Sequence, residues 1–201
     1  MAVGDAVAAL RSGKPVILPT DTVYGLCADA YREPPTRKLT ALKGRPDAMP
    51  IALLAADLDA ILDAVPELRG RAAVQARAIL PGPYTLVLPN PAARFRWLTG
   101  SNPNTIGVRV PDLPDETRRV VAAVGVVAAT SANSHGGADP AQLDQIPAEI
   151  LDRVGAVIDG GELPGTPSTV VDLTGAQPRV LREGAVAAEE ALATIARVAT
   201  E

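Results

Sequence analysis

The chain predicts an α/β fold, a twisted mixed parallel and antiparallel sheet flanked by helices, formed as one domain over residues 1–201. Two observations predict it. Short apolar runs, bounded by proline, glycine or polar clusters, recur from Val16 to Arg182. Between them lie segments whose apolar residues fall at helical spacing, the mixture expected of strands and helices packed in layers. A hydrophobic content of 47% supplies a sizeable core, and no repeat, low-complexity stretch or linker marks a domain boundary.

The elements follow in order. Val3, Val7 and Leu10 share one helical face, and Gly13 ends that helix. "KPVILPTDTVYGLCADA" (14–30) holds two strands, separated by Thr20, Asp21 and Thr22 where few turn residues are present to make a simple hairpin. Thr36 to Leu42 reads as helix and runs into the basic loop "KGRPDAMP". "IALLA" (51–55) is a short buried strand; 57–64 and 67–80 are helices closed by "PGP". "YTLVLP" (84–89) is a strand, the stretch to Asn104 is irregular, and "TIGVRVP" (105–111) alternates as a half-buried strand does. A helix over 115–124 leads to the strand "VVAAT" and the polar loop "SANSHGGADP". Strands at 156–159, 168–173 and 178–182 and a helix at 187–198 complete the chain.

Composition narrows the function. Aromatics make up 2% of the chain, so the core is built from Ala, Val, Leu and Ile, and the stacking platforms of single-strand nucleic-acid binders are scarce. A net charge of −4 gives no global basic field. The one cysteine, Cys27, excludes an intrachain disulfide framework and a cysteine-based zinc site, and reads as a small buried hydrophobe in a reducing compartment. The first residues carry Asp5 and no basic region followed by an apolar core, so they do not read as a signal peptide. No apolar run approaches the roughly 18 residues that span a bilayer. A soluble, cytoplasmic protein is expected.

Polar residues collect where strands end, the place where loops of an open α/β sheet converge on a ligand. Thr20, Asp21 and Thr22 end the first strand; Lys43 and Arg45 precede the third; Thr105 and Arg109 bracket the fifth. Ser131 and Asn133 end the sixth, Ser168 and Thr169 begin the eighth, and Arg182 ends the last. Lys43, Arg45, Arg109 and Arg182 together suit a polyanion, because guanidinium forks match phosphate and carboxylate geometry. Each also has a plainer reading: Lys43 and Arg45 as solvated loop residues, Arg109 as a surface arginine, and "TSAN" as a turn whose hydroxyls satisfy backbone amides. Neither a P-loop nor a convincing dinucleotide fingerprint is present, so a phosphate site would be built from side chains and loop amides. His135, the only histidine, lies in a glycine-rich loop, and a Ser-His-Asp triad would have to use it.

Taken in order, "PTDTVYGL", "KGRPDAMP", "PGPYTLVLP", "TIGVRVP", "TSAN", "STVVDL" and "VLREG" resemble the YrdC family over about residues 13–184. The pair Lys43, Arg45 and Ser131, Asn133 is the hallmark of that resemblance. It implies a single YrdC-like domain with a large open cleft, in the short form that lacks a C-terminal extension. It also implies threonylcarbamoyl-AMP synthase activity, a nucleotidyltransferase reaction that joins L-threonine, bicarbonate or CO2 and ATP with Mg2+ and releases pyrophosphate. A partner transferase then passes the threonylcarbamoyl group to the adenosine beside the anticodon of tRNA. The resemblance assigns Thr22, Arg109, Ala129 and Ser168 to threonine, and Lys43, Arg45, Thr105, Ser131, Asn133, Asp139 and Arg182 to ATP. Lys43 and Arg45 are the implied catalytic pair, and Mg2+ is held through the ATP phosphates rather than by a protein site. Asp21 and Tyr24 are expected to support the threonine pocket rather than react. Weak tRNA binding is a further expectation; a non-synthase RNA-binding or assembly protein on the same fold is the alternative.

Four departures from the family pattern stand out. Met49 falls where asparagine is common, Leu54 where a histidine near threonine is expected, and Tyr84 where leucine is usual. The loop after "SAN" reads "SHGGADP" and lacks the commoner serine near its end. They predict an altered grip on the amino acid and leave the phosphate-binding set intact.

Overall fold

A computed structural model describes residues 2–198. Nine strands form one sheet in the order β7-β1-β2-β6-β3-β5-β4-β8-β9. They are β1 (Val16–Pro19), β2 (Tyr24–Asp29), β3 (Ala52–Ala55), β4 (Tyr84–Pro89), β5 (Thr105–Arg109), β6 (Val126–Ser131), β7 (Ala156–Val157), β8 (Thr169–Asp172) and β9 (Arg179–Arg182). β7 with β1, β3 with β5, and β4 with β8 pair in parallel; the other neighbours are antiparallel. The helices are α1 (Ala2–Arg11), α2 (Glu33–Lys43), α3 (Leu58–Ala64), α4 (Arg71–Ile79), α5 (Asp115–Val124), α6 (Ala148–Leu151) and α7 (Ala188–Val198).

The expected elements are present, with differences at their ends. α2 starts at Glu33, earlier than the sequence suggests, because prolines tolerated in a first helical turn follow it. α4 begins only at Arg71, after Gly70 at φ 63°. The short helix α6 and the 3-10 turns at Arg96–Leu98 and Leu143–Gln145 were not anticipated.

β1 and β2 do form a hairpin. Its turn carries no glycine; the Thr20 hydroxyl organises it instead. That Oγ1 accepts the amides of Thr22 (3.2 Å) and Val23 (3.3 Å) and donates to the Val23 carbonyl (2.8 Å). Two hydroxyls and a carboxylate between buried strands are thus the turn itself, not an insertion into it.

The two sheet faces differ. One buries Leu26, Leu53, Leu86, Val108 and Val171 under Leu39 of α2, Ile61 of α3, Ile79 of α4 and Ile195 of α7. The other is covered only in part. Leu10 of α1 and Val120 and Val121 of α5 pack over Val16, Leu18, Cys27, Leu54 and Val127. Beyond that cluster, Ala52 of β3, Gly107 of β5, Thr85 and Val87 of β4 and Val170 of β8 face an open cleft. Strand periodicity records the difference: β1 is buried at every position, whereas β4 and β5 alternate strictly.

Candidate active site

The cleft encloses about 280 Å³, and small residues make its floor. Ala129 pairs with Ala52 across β6 and β3, and Gly107 lies beside Ala52 on β5. Larger side chains at those three positions would fill the space. Charged and hydroxyl groups rise around this floor: Arg45, Thr105, Arg109, Ser131, Asp139, Ser168 and Arg182. Asp139 is the only carboxylate among the lining residues described.

At one end the Arg109 guanidinium binds the hairpin turn. Its Nη2 donates to Asp21 Oδ1 (3.0 Å) and to the Thr22 hydroxyl (3.1 Å), and both partners of the ion pair keep side-chain exposures of 11%. Asp21 also accepts the Asp112 amide (3.3 Å). Burial pushes the Asp21 carboxyl above the usual carboxylate range, and Arg109 opposes that push. Burial likewise draws Arg109 below the ordinary arginine value, with Asp21 pulling the other way. The Arg109 Nε is buried and unbonded, so the guanidinium retains capacity for an incoming acceptor.

At the other end, the close of α2 separates two cations. Gly44, left-handed at φ 64°, caps the helix, so Lys43 and Arg45 leave in different directions. Lys43 is 4% exposed and does not reach the cleft lining. Its Nζ donates to the carbonyls of Ser131 (2.8 Å) and Asn133 (2.9 Å), and to the Ser131 hydroxyl (3.2 Å) and Asn133 Oδ1. Burial, aided by Arg45 and opposed by Asp139, draws its pKa down to about 8. Ser131 donates to Asn133 Oδ1 (2.7 Å), and Asn133 Nδ2 donates to the Gly137 carbonyl (2.6 Å) and Asp139 (3.3 Å). The two halves of the sequence hallmark are therefore one hydrogen-bonded unit, with Lys43 as its centre.

Arg45 enters the cleft, anchored by Nη2 to the Pro50 carbonyl (2.8 Å), and its Nε is buried without a partner. Burial and the nearby Arg182 charge lower its pKa. Arg182 donates to the Ser168 carbonyl (2.7 Å), and the Ser168 hydroxyl shares a hydrogen bond with Thr85 (2.8 Å). Three guanidiniums thus face one space whose lining offers one carboxylate, an arrangement that favours a polyanion.

Of the residues singled out in the sequence, Arg45, Thr105, Arg109, Ala129, Ser131, Asp139, Ser168 and Arg182 line the cleft. Thr22, Lys43 and Asn133 lie behind it, each bonded to a residue that lines it. Cys27 is buried and His135 is exposed on its loop. Thr85, Val87 and Pro167 also line the cleft and were missed. The first two were readable, being the half-exposed positions of an alternating strand.

Three of the departures sit away from the lining. Leu54 packs with Cys27 and Val127 beneath α1 and α5, and Tyr84 faces the opposite core. Met49 is 37% exposed.

A Sua5/YciO/YrdC family model, described as telomere recombination, matches residues 8–184. A putative threonylcarbamoyl-AMP synthase of Mycobacterium tuberculosis is 36% identical over 185 residues, covering 92% of this chain and 84% of the relative. The threonylcarbamoyl-AMP synthase of Pyrococcus abyssi is 35% identical over 182 residues, covering 90% of this chain and 53% of its own length. The structure of P. abyssi Sua5 complexed with L-threonine superposes with a TM-score of 0.87 at 33% identity, covering 96% of this chain and 57% of that one. Escherichia coli YciO superposes at 0.83 with 27% identity, covering 94% and 92%. The chain thus spans little more than half of the archaeal protein and most of the mycobacterial one. It belongs to the Sua5/YciO/YrdC family.

Proposed function

We propose that the chain is an L-threonylcarbamoyladenylate synthase, a nucleotidyltransferase acting on ATP, L-threonine and bicarbonate or CO2. The observation that carries this reading is the convergence of Arg45, Arg109 and Arg182 on one cleft, two of them with a buried, unbonded Nε. Relatives named for the same activity and a threonine-bound family member support it.

The chemistry suits the groups present. The neutral amine of threonine captures CO2 as a carbamate, and a carbamate oxygen attacks the α-phosphorus of ATP while the bond to pyrophosphate breaks. Such a displacement needs alignment and charge neutralisation rather than a protein nucleophile. Arg109, Ser168 and the backbone at Ala129 hold threonine, with Thr22 bracing Arg109 from behind the lining; Arg45, Arg182, Thr105, Ser131 and the Asp139 loop hold ATP. Lys43 contributes by fixing Ser131 and Asn133. Mg2+ arrives with ATP as part of that substrate. No helix among the described residues is long and apolar enough to cross a membrane. The product then passes to a tRNA threonylcarbamoyl-transferase in the cytoplasm.

The test is pyrophosphate release from ATP, bicarbonate and Mg2+ with no amino acid, L-threonine or L-serine. Threonine-dependent release is expected, reduced about ten- to a hundredfold by Arg45→Ala, as the loss of a charge-assisted contact of roughly 1.5–3 kcal/mol requires. Absence of amino-acid-dependent release from folded protein, with salt-dependent tRNA retention instead, overturns the synthase in favour of an RNA-binding module.

A further inference from the structure

The connection from β7 to β8, residues 158–168, contains no helix or strand. Yet β7 lies at one edge of the sheet and β8 is next to the other edge, seven strand positions away. At ~4.8 Å per position that is a path of roughly 34 Å along the sheet. The twelve steps from Val157 to Thr169 reach at most about 40 Å when fully drawn out. The segment crosses the sheet as a strap without regular structure. Its far end, Pro167 and Ser168, lines the cleft.

Three ties fix its course. The Tyr24 hydroxyl accepts the Gly160 amide (2.9 Å) and lies within donating distance of the Gly161 carbonyl (2.8 Å) and Asp159 Oδ1 (3.1 Å). The Leu163 amide donates to the Ala141 carbonyl (2.9 Å), and the Gly165 amide donates to the Thr22 carbonyl (2.9 Å). Asp159 also accepts the Gly161 amide (2.9 Å), bracing the bend at the phenol. The strap is therefore tethered to the hairpin turn that meets Arg109 and to the residue just past the Asp139 loop.

Tyr24 joins these parts. Its amide donates to the Pro140 carbonyl (2.9 Å) and its carbonyl accepts the Ala132 amide (2.9 Å), so its main chain holds both ends of the Ser131–Asp139 loop. Its ring is fully buried, and its hydroxyl makes the side-chain hydrogen bonds to the strap.

We propose that Tyr24 is a positioning residue for the amino-acid subsite, its hydroxyl holding the 159–167 strap so that Ser168 and the Thr22 turn stay in binding geometry. The proposal rests on the synthase reading for the identity of the amino acid, and on hydrogen bonds alone for the strap. The division of labour within Tyr24 makes it specific. Removing the hydroxyl leaves the main-chain bonds to the nucleotide-side loop intact and releases the strap, so threonine and ATP respond differently. A strap that is ordered only part of the time raises the apparent dissociation constant in inverse proportion to its ordered fraction.

Tyr24→Phe is expected to raise the half-saturating threonine concentration about five- to thirtyfold while shifting that for ATP and the maximal rate by less than about twofold. Asp159→Ala, at an exposed residue outside the cleft lining, should follow in the same direction by a smaller factor. Asp159→Asn, which keeps a carbonyl oxygen for the phenol, should restore near wild-type behaviour. Hydrogen exchange of the unliganded protein should show faster exchange at Leu163 and Gly165 in Tyr24→Phe and Asp159→Ala only. An equal loss for ATP and threonine, or unchanged threonine saturation with unchanged exchange, overturns the proposal. Should Tyr24→Phe fail to fold, the Asp159 pair decides on the same readouts. Should the wild type lack threonine-dependent release, the synthase reading fails by itself; unchanged exchange at Leu163 and Gly165 would then dismiss the strap as well, and faster exchange would retain it.

Discussion

Replacing Gly107 by alanine should make the protein more stable and less active at once. Gly107 lies within β5 between Thr105 and Arg109, whose side chains share its face of the strand and line the cleft. A Cβ built there would stand 3.8 Å from Ala52 Cα, 3.8 Å from Thr85 Cγ2 and 4.0 Å from Ala52 Cβ, ordinary van der Waals distances that require no movement. Its backbone is not left-handed, so alanine adopts it without strain. Glycine inside a strand costs about 0.5–1 kcal/mol relative to alanine through the entropy of the unfolded chain. A domain of this length converts that into a rise in Tm of about 1–4 °C. The same methyl projects into the cleft between Ala52 and Thr85. Overfilling a close-fitting site costs about 1–3 kcal/mol, or roughly five- to a hundred-and-fiftyfold in substrate affinity. Thermal unfolding without ligand, together with saturation curves for threonine and ATP, reads both effects. A lowered Tm would show that the floor is already filled, and a raised Tm with unchanged saturation by both substrates would show that no ligand uses this floor.

Four further outcomes follow from the hydrogen-bond arrangement. Because the Lys43 pKa is held down at about 8, the folded chain binds fewer protons than the unfolded chain between about pH 8 and the ordinary lysine range, so global stability should rise with pH across that window. ATP affinity should move the opposite way, weakening as the ammonium that grips Ser131 and Asn133 deprotonates; calorimetric titrations at about pH 7 and 9 check this, and Lys43→Met should abolish the difference. Asp21→Asn leaves a largely buried Arg109 charge without its counter-ion and should cost about 3 kcal/mol in urea unfolding, with the denaturant slope unchanged. Thr20→Val keeps the shape of the hairpin turn while orphaning the Thr22 and Val23 amides; a loss of about 1–3 kcal/mol is expected, and a neutral result would mean that the turn is held by strand pairing alone.

The strands were readable because the side-chain period reports how many faces of a strand are covered. "TIGVR" and "YTLVLP" alternate since one face lies on the core and the other lines the cleft, and the alternation names Thr105, Gly107, Arg109, Thr85 and Val87 as cleft-facing. β1 and β2 offer no such pattern, being covered on both faces. The strap was not readable. Its ties are main-chain amides and carbonyls plus one phenol, and a backbone donor leaves no mark on the identity of Leu163 or Gly165. Lys43 was legible as a member of the site but not in its geometry, since the consequence of Gly44 for the two side-chain directions depends on where β6 ends relative to α2.

The departures from the family pattern bear on which end of the cleft sets specificity. Leu54 precedes Ala55 on β3 and is the partner of Arg109 across the parallel pairing, yet its side chain fills the core beneath α1 and α5 instead of the lining. A leucine there supplies bulk and no hydrogen bond, so under the proposed synthase reading recognition of the amino acid would fall to the Ser168 hydroxyl and to Arg109, which Thr22 braces from behind. An apolar surround discriminates weakly between close analogues, about 10- to 200-fold per methylene, whereas a site that hydrogen-bonds a hydroxyl rejects an analogue lacking it far more strongly. The chain should therefore separate threonine from valine more sharply than threonine from serine. Competition by L-valine and L-serine against threonine-dependent pyrophosphate release measures both ratios. Equal discrimination against the two would place specificity in the apolar residues that line the cleft, such as Ala52 and Val87, rather than in the Ser168 hydroxyl and Arg109 that the strap and the hairpin hold in place.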